Sequence, residues 1–377
     1  MAFSTKTLAF HSNIWKIYAY QFLKGLHFFG AILVPFFTEW GKLSYEQIFF
    51  LQAWFMFWIF VMEVPTGTFA DRFGRKFSLV IGSFLMGVAA LTYISTPQFE
   101  IFLLAEFIWA LSSAFVSGAE EAILYDSLKE TGETHTSKKI FSQKESIQLF
   151  AIAIGGAIGG LVVKPFGITF PYLLTAVSVF LSAALALTLR EPTIHSKEKK
   201  PAFFTILKDG IGYLRTHKIL QILAIDMIGI ATIAYFMIWM FQPLLESAKI
   251  GVEYFGFVLS GIVVVEIGML ALYPKLETML GNKKRLLFYT SIGTGVFFIL
   301  SGITDLLPLL LISILLGGGI GLTRKPLLTS YMQKYIPSDK RATVSSAINM
   351  LRTLSITLAN LVVGKLAQWN IHHTMVI

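Results

Sequence analysis

The sequence predicts an all-α membrane protein built from two pseudo-symmetric helical bundles. Its apolarity, the length of its apolar runs and the placement of its basic residues all predict this. Mean hydropathy is +0.68, with 55% hydrophobic and 14% charged residues. That leaves too little charge to cover the surface of a soluble chain of 377 residues. The apolar residues come in runs approaching or exceeding the roughly 20 residues a helix needs to cross about 30 Å of hydrocarbon. Only helices and closed barrels satisfy their backbone there, and continuous rather than alternating apolarity selects helices.

Run length places spans near 14–37, 47–70, 77–95, 99–126, 146–164 and 170–189. A second set follows near 219–245, 253–273, 286–304, 307–333 and 343–367. The expected organisation is an N-terminal six-helix bundle over 1–190, a linker over 191–217, and a C-terminal bundle over 218–377 showing five spans. The basic residues crowd into alternate loops, among them Arg72, Arg75 and Lys76; Lys129, Lys138, Lys139 and Lys144; and Lys283, Lys284 and Arg285. The basic side is the cytoplasmic one, which puts the N-terminus inside and predicts a bacterial cytoplasmic membrane as the location. The same asymmetry accounts for the net charge of +9 without a nucleic-acid partner.

Two features concern the ends and the middle. Met1–Asn13 carries no small-residue cleavage site, so no removable signal peptide is expected. Beyond Gln368 too little chain remains for another crossing, and two bundles of six would complete the pattern, so a twelfth span is expected to be missing from this sequence. In the linker, Phe203, Ile206, Leu207, Ile211 and Leu214 recur at helical spacing. That pattern fits either an interfacial helix on the inner leaflet or an ordinary linker helix.

After the second span the chain reads Gly67-Thr-Phe-Ala-Asp71-Arg72-Phe-Gly74-Arg75-Lys76. Gly67 allows close helix approach, Gly74 a tight turn, and Asp71 suits a helix N-terminus. The stretch resembles the loop signature of the major facilitator superfamily, Gly-x-x-x-Asp-Arg-x-Gly-Arg-Lys. A worn copy, Glu277-Thr-Met-Leu-Gly281-Asn-Lys283-Lys284, stands in the second half, and Tyr335-Ile-Pro337-Ser-Asp-Lys340-Arg341 resembles the stretch joining helices ten and eleven of that family. The resemblance implies alternating access between two bundles and a charge relay: Arg75 pairs with Asp126 while Asp71 docks on the start of the eleventh span, near Ser338-Asp339. Gly67, Asp71, Arg72, Gly74, Arg75, Lys76 and Asp126 are therefore the expected conformational latch. Gly155-Gly156-Ala-Ile-Gly159-Gly160 resembles the helix-five element of the drug/proton antiporter branch, although Gly156 stands where proline belongs. Glycines at this spacing also serve plain helix packing. The arginine that branch carries in helix four is absent, and Glu106, Glu120 and Glu121 occur there instead.

A charge at mid-bilayer costs at least about 2.5–3.5 kcal/mol, so each one calls for a reason. The resemblance implies a cavity lined by helices one, four, seven and ten. The candidate substrate-cavity residues on those spans are Lys24, His27, Glu106, Trp109, Asp226, Tyr235, Trp239 and Arg324. Lys24 and Arg324 either bind a substrate anion or pair with Glu106 or Asp226; the aromatics either stack on substrate or pack. Glu63 and Glu266 are candidate proton carriers.

No catalytic constellation and no Gly-x-x-x-x-Gly-Lys loop is present, so neither an enzyme nor an ATP-driven pump is expected, and no cofactor or metal. Absence of cysteine rules out disulfides and thiolate chemistry. The expected function is secondary active transport of a small molecule by a monomer in the lipid bilayer, with proton-coupled efflux favoured. Uptake of a nutrient or organic anion is one alternative, and a non-transporting membrane sensor or assembly factor the other.

Overall fold

The apolar runs become helices in a computed structural model that describes residues 5–192, 203–337 and 340–377. Among the described residues, ten helices are long and apolar enough to cross a membrane. A shorter apolar helix, Phe170–Ala186, lies between the fifth and seventh spans. In chain order the spans are Phe10–Trp40, Tyr45–Phe73, Arg75–Tyr93, Phe99–Thr131, Ser137–Phe166, Phe170–Ala186, Lys218–Ser247, Phe255–Leu280, Lys283–Ile303, Leu307–Met332 and Arg341–Trp369. The Ser338-Asp339 stretch expected to receive Asp71 lies outside the described residues.

The helices gather into two units. The first comprises Met1–Gly30 and Phe57–Lys200, the second Ala31–Met56 and Pro201–Ile377. In the first unit a core of Ile17, Tyr20, Leu79, Val116, Ile123 and Leu189 joins spans one, three, four and the end of six. In the second, the outer part of span one packs on span seven, where the Val34 N–H donates to Gln242 Oε1 at 2.7 Å. Apolar side chains lose little by facing lipid, so close contact between helices rests on small residues and hydrogen bonds.

Span five shows this packing most directly. Lys144, Gln148, Ala151, Gly155 and Gly159 fall on one stripe at helical spacing, and the last four of them face span one. A Cβ on Gly159 would overlap the Phe28 carbonyl, so only glycine permits this approach. The glycine-rich element thus serves packing, holding the point where span one is interrupted.

Three spans are broken. Span one leaves the α-helix after Gly25 and continues as a 3-10 segment Phe28–Ile32 and a π-turn Phe36–Trp40. Span seven breaks at Gly229 and again at Phe236. Span ten breaks at Thr323. Backbone groups freed in a membrane must find partners. Thr175 Oγ1 accepts the Phe28 N–H at 3.1 Å. Ser355 Oγ donates to the Ile228 carbonyl at 3.3 Å, and Thr323 Oγ1 bonds the Ile320 carbonyl and the Tyr273 hydroxyl. Hydroxyl side chains at and opposite the breaks supply the missing bonds.

Candidate functional site

In the first unit the break in span one brings Lys24 to the fourth and fifth spans. Lys24 Nζ forms an ion pair with Glu120 Oε2, and Lys144 Nζ reaches Glu120 Oε1 at 2.8 Å. The side chains are 12%, 4% and 5% exposed for Lys24, Glu120 and Lys144, so one carboxylate holds two cations away from water. Lys144 also meets the exposed Glu145 at 3.1 Å. Lys24 lies 5.5 Å from the Tyr20 ring. Lys24 thus pairs with Glu120 and not with Glu106 or Asp226. Lys144, expected in a basic loop, stands inside the span-five helix: apolar run length stops at a charge, whereas the helix continues because a partner carboxylate waits across it.

Beyond the break lies an aromatic cluster. His27 stacks on Phe29 with ring centroids 5.4 Å apart, and Trp109 meets both edge-on at 5.8 and 5.2 Å. Phe29 stacks on Tyr172 at 4.8 Å, and Tyr93 closes on Trp109 and Tyr172. Glu106 is 3% exposed and accepts the Tyr93 hydroxyl. The His27 ring bonds the backbone of Lys24, while its Nε2 is buried without a hydrogen-bond partner among the described residues. Trp109, Glu106 and His27 therefore share one site.

The second unit carries the complementary arrangement. Arg324, 0% exposed, opens the second piece of span ten, Arg324–Met332. All three of its guanidinium nitrogens donate: Nε to Asp226 Oδ1 at 3.1 Å, Nη2 to both Asp226 oxygens, and Nη1 to Thr290 Oγ1 at 3.0 Å and the Leu287 carbonyl at 3.3 Å. Such a fork is geometrically specific and fully desolvated. Span one offers a cation to a carboxylate on span four, whereas span seven offers a carboxylate to a cation on span ten. Higher in span seven the Trp239 indole N–H donates to the Tyr235 hydroxyl at 3.0 Å. Trp239 is 5% exposed and faces Phe49 at 6.3 Å.

Sequence reasoning passed over Arg352, which lies in span eleven near Tyr235. Its Nε is buried without a hydrogen-bond partner among the described residues. Glu63 and Glu266, the expected proton carriers, are each half-buried, on spans two and eight. Near Glu63, Thr66 Oγ1 bonds the Met62 carbonyl at 2.8 Å and the Ala114 carbonyl of span four at 3.0 Å.

At the loop signature, Gly74 adopts φ 100°, a conformation open to glycine and strained for other residues. The turn delivers Arg75 to Asp126, where the two form an ion pair, and Arg75 Nη1 also donates to the Ala122 carbonyl at 3.0 Å. The helix that follows is capped from a distance: Glu191 accepts the Arg75 and Lys76 N–H groups at 2.8 and 2.7 Å. A carboxylate there matches the positive end of a helix. Asn13 fixes the neighbouring Arg190 backbone, accepting its N–H at 3.0 Å and donating to its carbonyl at 2.9 Å. Asp71 and Arg72 are exposed, the latter over the Phe73 ring, and Gly67 lies half-buried on span two.

Comparison with known proteins gives this architecture its place. The family model described as Major Facilitator Superfamily matches residues 17–360. An uncharacterised MFS-type transporter of Bacillus subtilis, YxaM, is 24% identical over 314 residues, covering 81% of this chain and 76% of that protein. Multidrug resistance protein 1 of the same organism is 23% identical over 307 residues, covering 79% and 75%. Among solved structures, the nucleoside transporter NupG superposes with a TM-score of 0.76 at 15% identity over 96% of this chain and 94% of that one. A D-xylose-proton symporter superposes with a TM-score of 0.65 at 12% identity, covering 98% and 95%. With an intact loop signature, two helical units and a family match over most of its length, this chain belongs to the major facilitator superfamily of membrane transporters.

Proposed function

We propose that this transporter exports small, partly hydrophobic molecules in exchange for protons, working as a monomer with its N-terminus and basic loops on the cytoplasmic side of a bacterial cytoplasmic membrane. The observation that carries the proposal is Glu120 set between Lys24 and Lys144. A proton arriving on Glu120 cancels the charge that holds two buried cations, and Lys24 stands at the point where span one is already broken. Protonation therefore releases span one from spans four and five in a single event. Glu120, rather than Glu63 or Glu266, takes the coupling role. The aromatic cluster of His27, Phe29, Trp109 and Tyr172 adjoins that break and offers apolar stacking surface to a substrate. Asp226 and Arg324 act as a hinge pin for the broken spans seven and ten. Gly67, Asp71, Arg72, Gly74, Arg75, Lys76 and Asp126 act as the latch, with Glu191 holding its loop. Export is supported by the relatives called multidrug resistance proteins, which match along most of the chain.

A second reading, uptake of an organic anion, is favoured by one observation: Arg352 has no hydrogen-bond partner for its Nε among the described residues. Membrane vesicles of opposite orientation separate the two. Export predicts that inverted vesicles with an acid interior accumulate ethidium above a transporter-free control. Accumulation of benzoate by right-side-out vesicles in acid medium, with no ethidium movement in inverted ones, would overturn the proposal in favour of uptake.

A further inference from the structure

One side of the linker helix Phe203–Thr216 packs on span eleven. Leu214, 7% exposed, joins Leu220, Leu223, Val344 and Ile348 in one core cluster, and Gly210 lies buried against Ala347 of span eleven. Beside this contact, between the helix and the start of span eleven, runs an open groove of about 850 Å³. Its charged lining consists of Lys208, Arg215 and Lys340 against the single carboxylate of Asp209, all exposed. Lys340 Nζ lies 5.0 Å above the Tyr213 ring, which holds that ammonium at the groove. Only His217 separates the linker helix from span seven.

We propose that this groove binds the phosphate headgroup of an anionic membrane lipid, which fastens the linker helix to span eleven. Three cations against one carboxylate favour an anion, and a position one residue from a membrane span favours a lipid as its source. A cation close to an anionic surface contributes about 1 kcal/mol, or roughly fivefold in affinity. The site requires only the bilayer and is independent of what the transporter carries.

The test titrates the purified full chain with dioctanoyl phosphatidylglycerol and reads complexes by native mass spectrometry and melting temperature. Dioctanoyl phosphatidylcholine and inorganic phosphate are the comparison ligands. Lys340→Gln should weaken phosphatidylglycerol binding roughly fivefold, and Lys208→Gln with Arg215→Gln should weaken it further. Asp209→Asn should tighten it, which keeps the proposal testable if the other variants fold poorly. Equal phosphatidylglycerol binding by all variants would overturn the site. Equal binding of phosphatidylcholine would overturn the headgroup specificity, and equal binding of inorganic phosphate the lipid as source.

Discussion

At the scale of single residues, buried charge decides what a substitution does. Removing one partner of a buried ion pair costs about 3–5 kcal/mol, because the remaining charge is stranded. Glu120→Gln strands Lys24 in the first unit and leaves Lys144 only its contact with the exposed Glu145. It should lower the melting temperature markedly. Lys24→Ala leaves Glu120 paired with Lys144 at 2.8 Å, so it should fold at near wild-type yield yet lose most transport. The double variant Lys24→Met/Glu120→Gln, retaining Lys144 with Glu145, should recover much of the stability lost in Glu120→Gln. Melting curves of the three proteins check this, and a Glu120→Gln variant as stable as wild type would contradict the buried triad. The sequence marks Lys24, Asp226 and Arg324 as charges needing a reason, because each interrupts an apolar run. It offers Asp226 as a partner for Arg324 but does not reveal Glu120 for Lys24, since pairing is a property of neighbouring helices and not of spacing along one helix. Arg352 stands inside the eleventh apolar run and meets the same criterion as Arg324, so the signal that finds it is present in the sequence.

At the scale of the element, span lengths and loop positions follow from hydropathy alone, and the structure keeps them within a few residues at most ends. The fifth span departs most, beginning at Ser137 and carrying Lys144 inward, and the eighth runs on to Leu280. Its stripe of Lys144, Gln148, Ala151, Gly155 and Gly159 is visible as helical spacing, and taking the lysine as part of that stripe leads to the triad. The break in span ten lies three residues before Pro326, whose missing N–H cannot bond the Leu322 carbonyl, and span one leaves the helix at Gly25, so local residues mark both. Both breaks rest on Thr175, Thr323 and the glycines of span five. Gly159→Ala should therefore destabilise by about 1–3 kcal/mol through overpacking against Phe28. Gly118→Ala, on the continuous span four where a Cβ meets nothing within 4 Å, should be tolerated and serves as the control. Melting temperatures of the two variants report the difference. An unchanged Gly159→Ala would mean that the span-one break does not depend on this approach.

At the scale of the whole molecule, the chain's two halves each contain a buried ion cluster between equivalent spans, with the signs exchanged: lysine on span one and carboxylate on span four, carboxylate on span seven and arginine on span ten. The loop signature and its worn second copy make two related halves legible from the amino acids alone. Hydropathy does not show that residues 31–56 pack with the second unit, because run length records where a helix crosses and not which neighbours it chooses. In the proposed mechanism the first unit's cluster couples protons, and the second's holds two broken spans together. Proton movement accompanying substrate flux tests that assignment most directly. Protein reconstituted into proteoliposomes with a pH-sensitive dye inside is given an outward ethidium gradient and no initial pH gradient. Ethidium leaving the lumen should draw protons in through wild-type protein, while Lys24→Met/Glu120→Gln should pass ethidium without moving protons. Proton movement in the same direction as ethidium, or coupling preserved in the variant, would contradict the assignment.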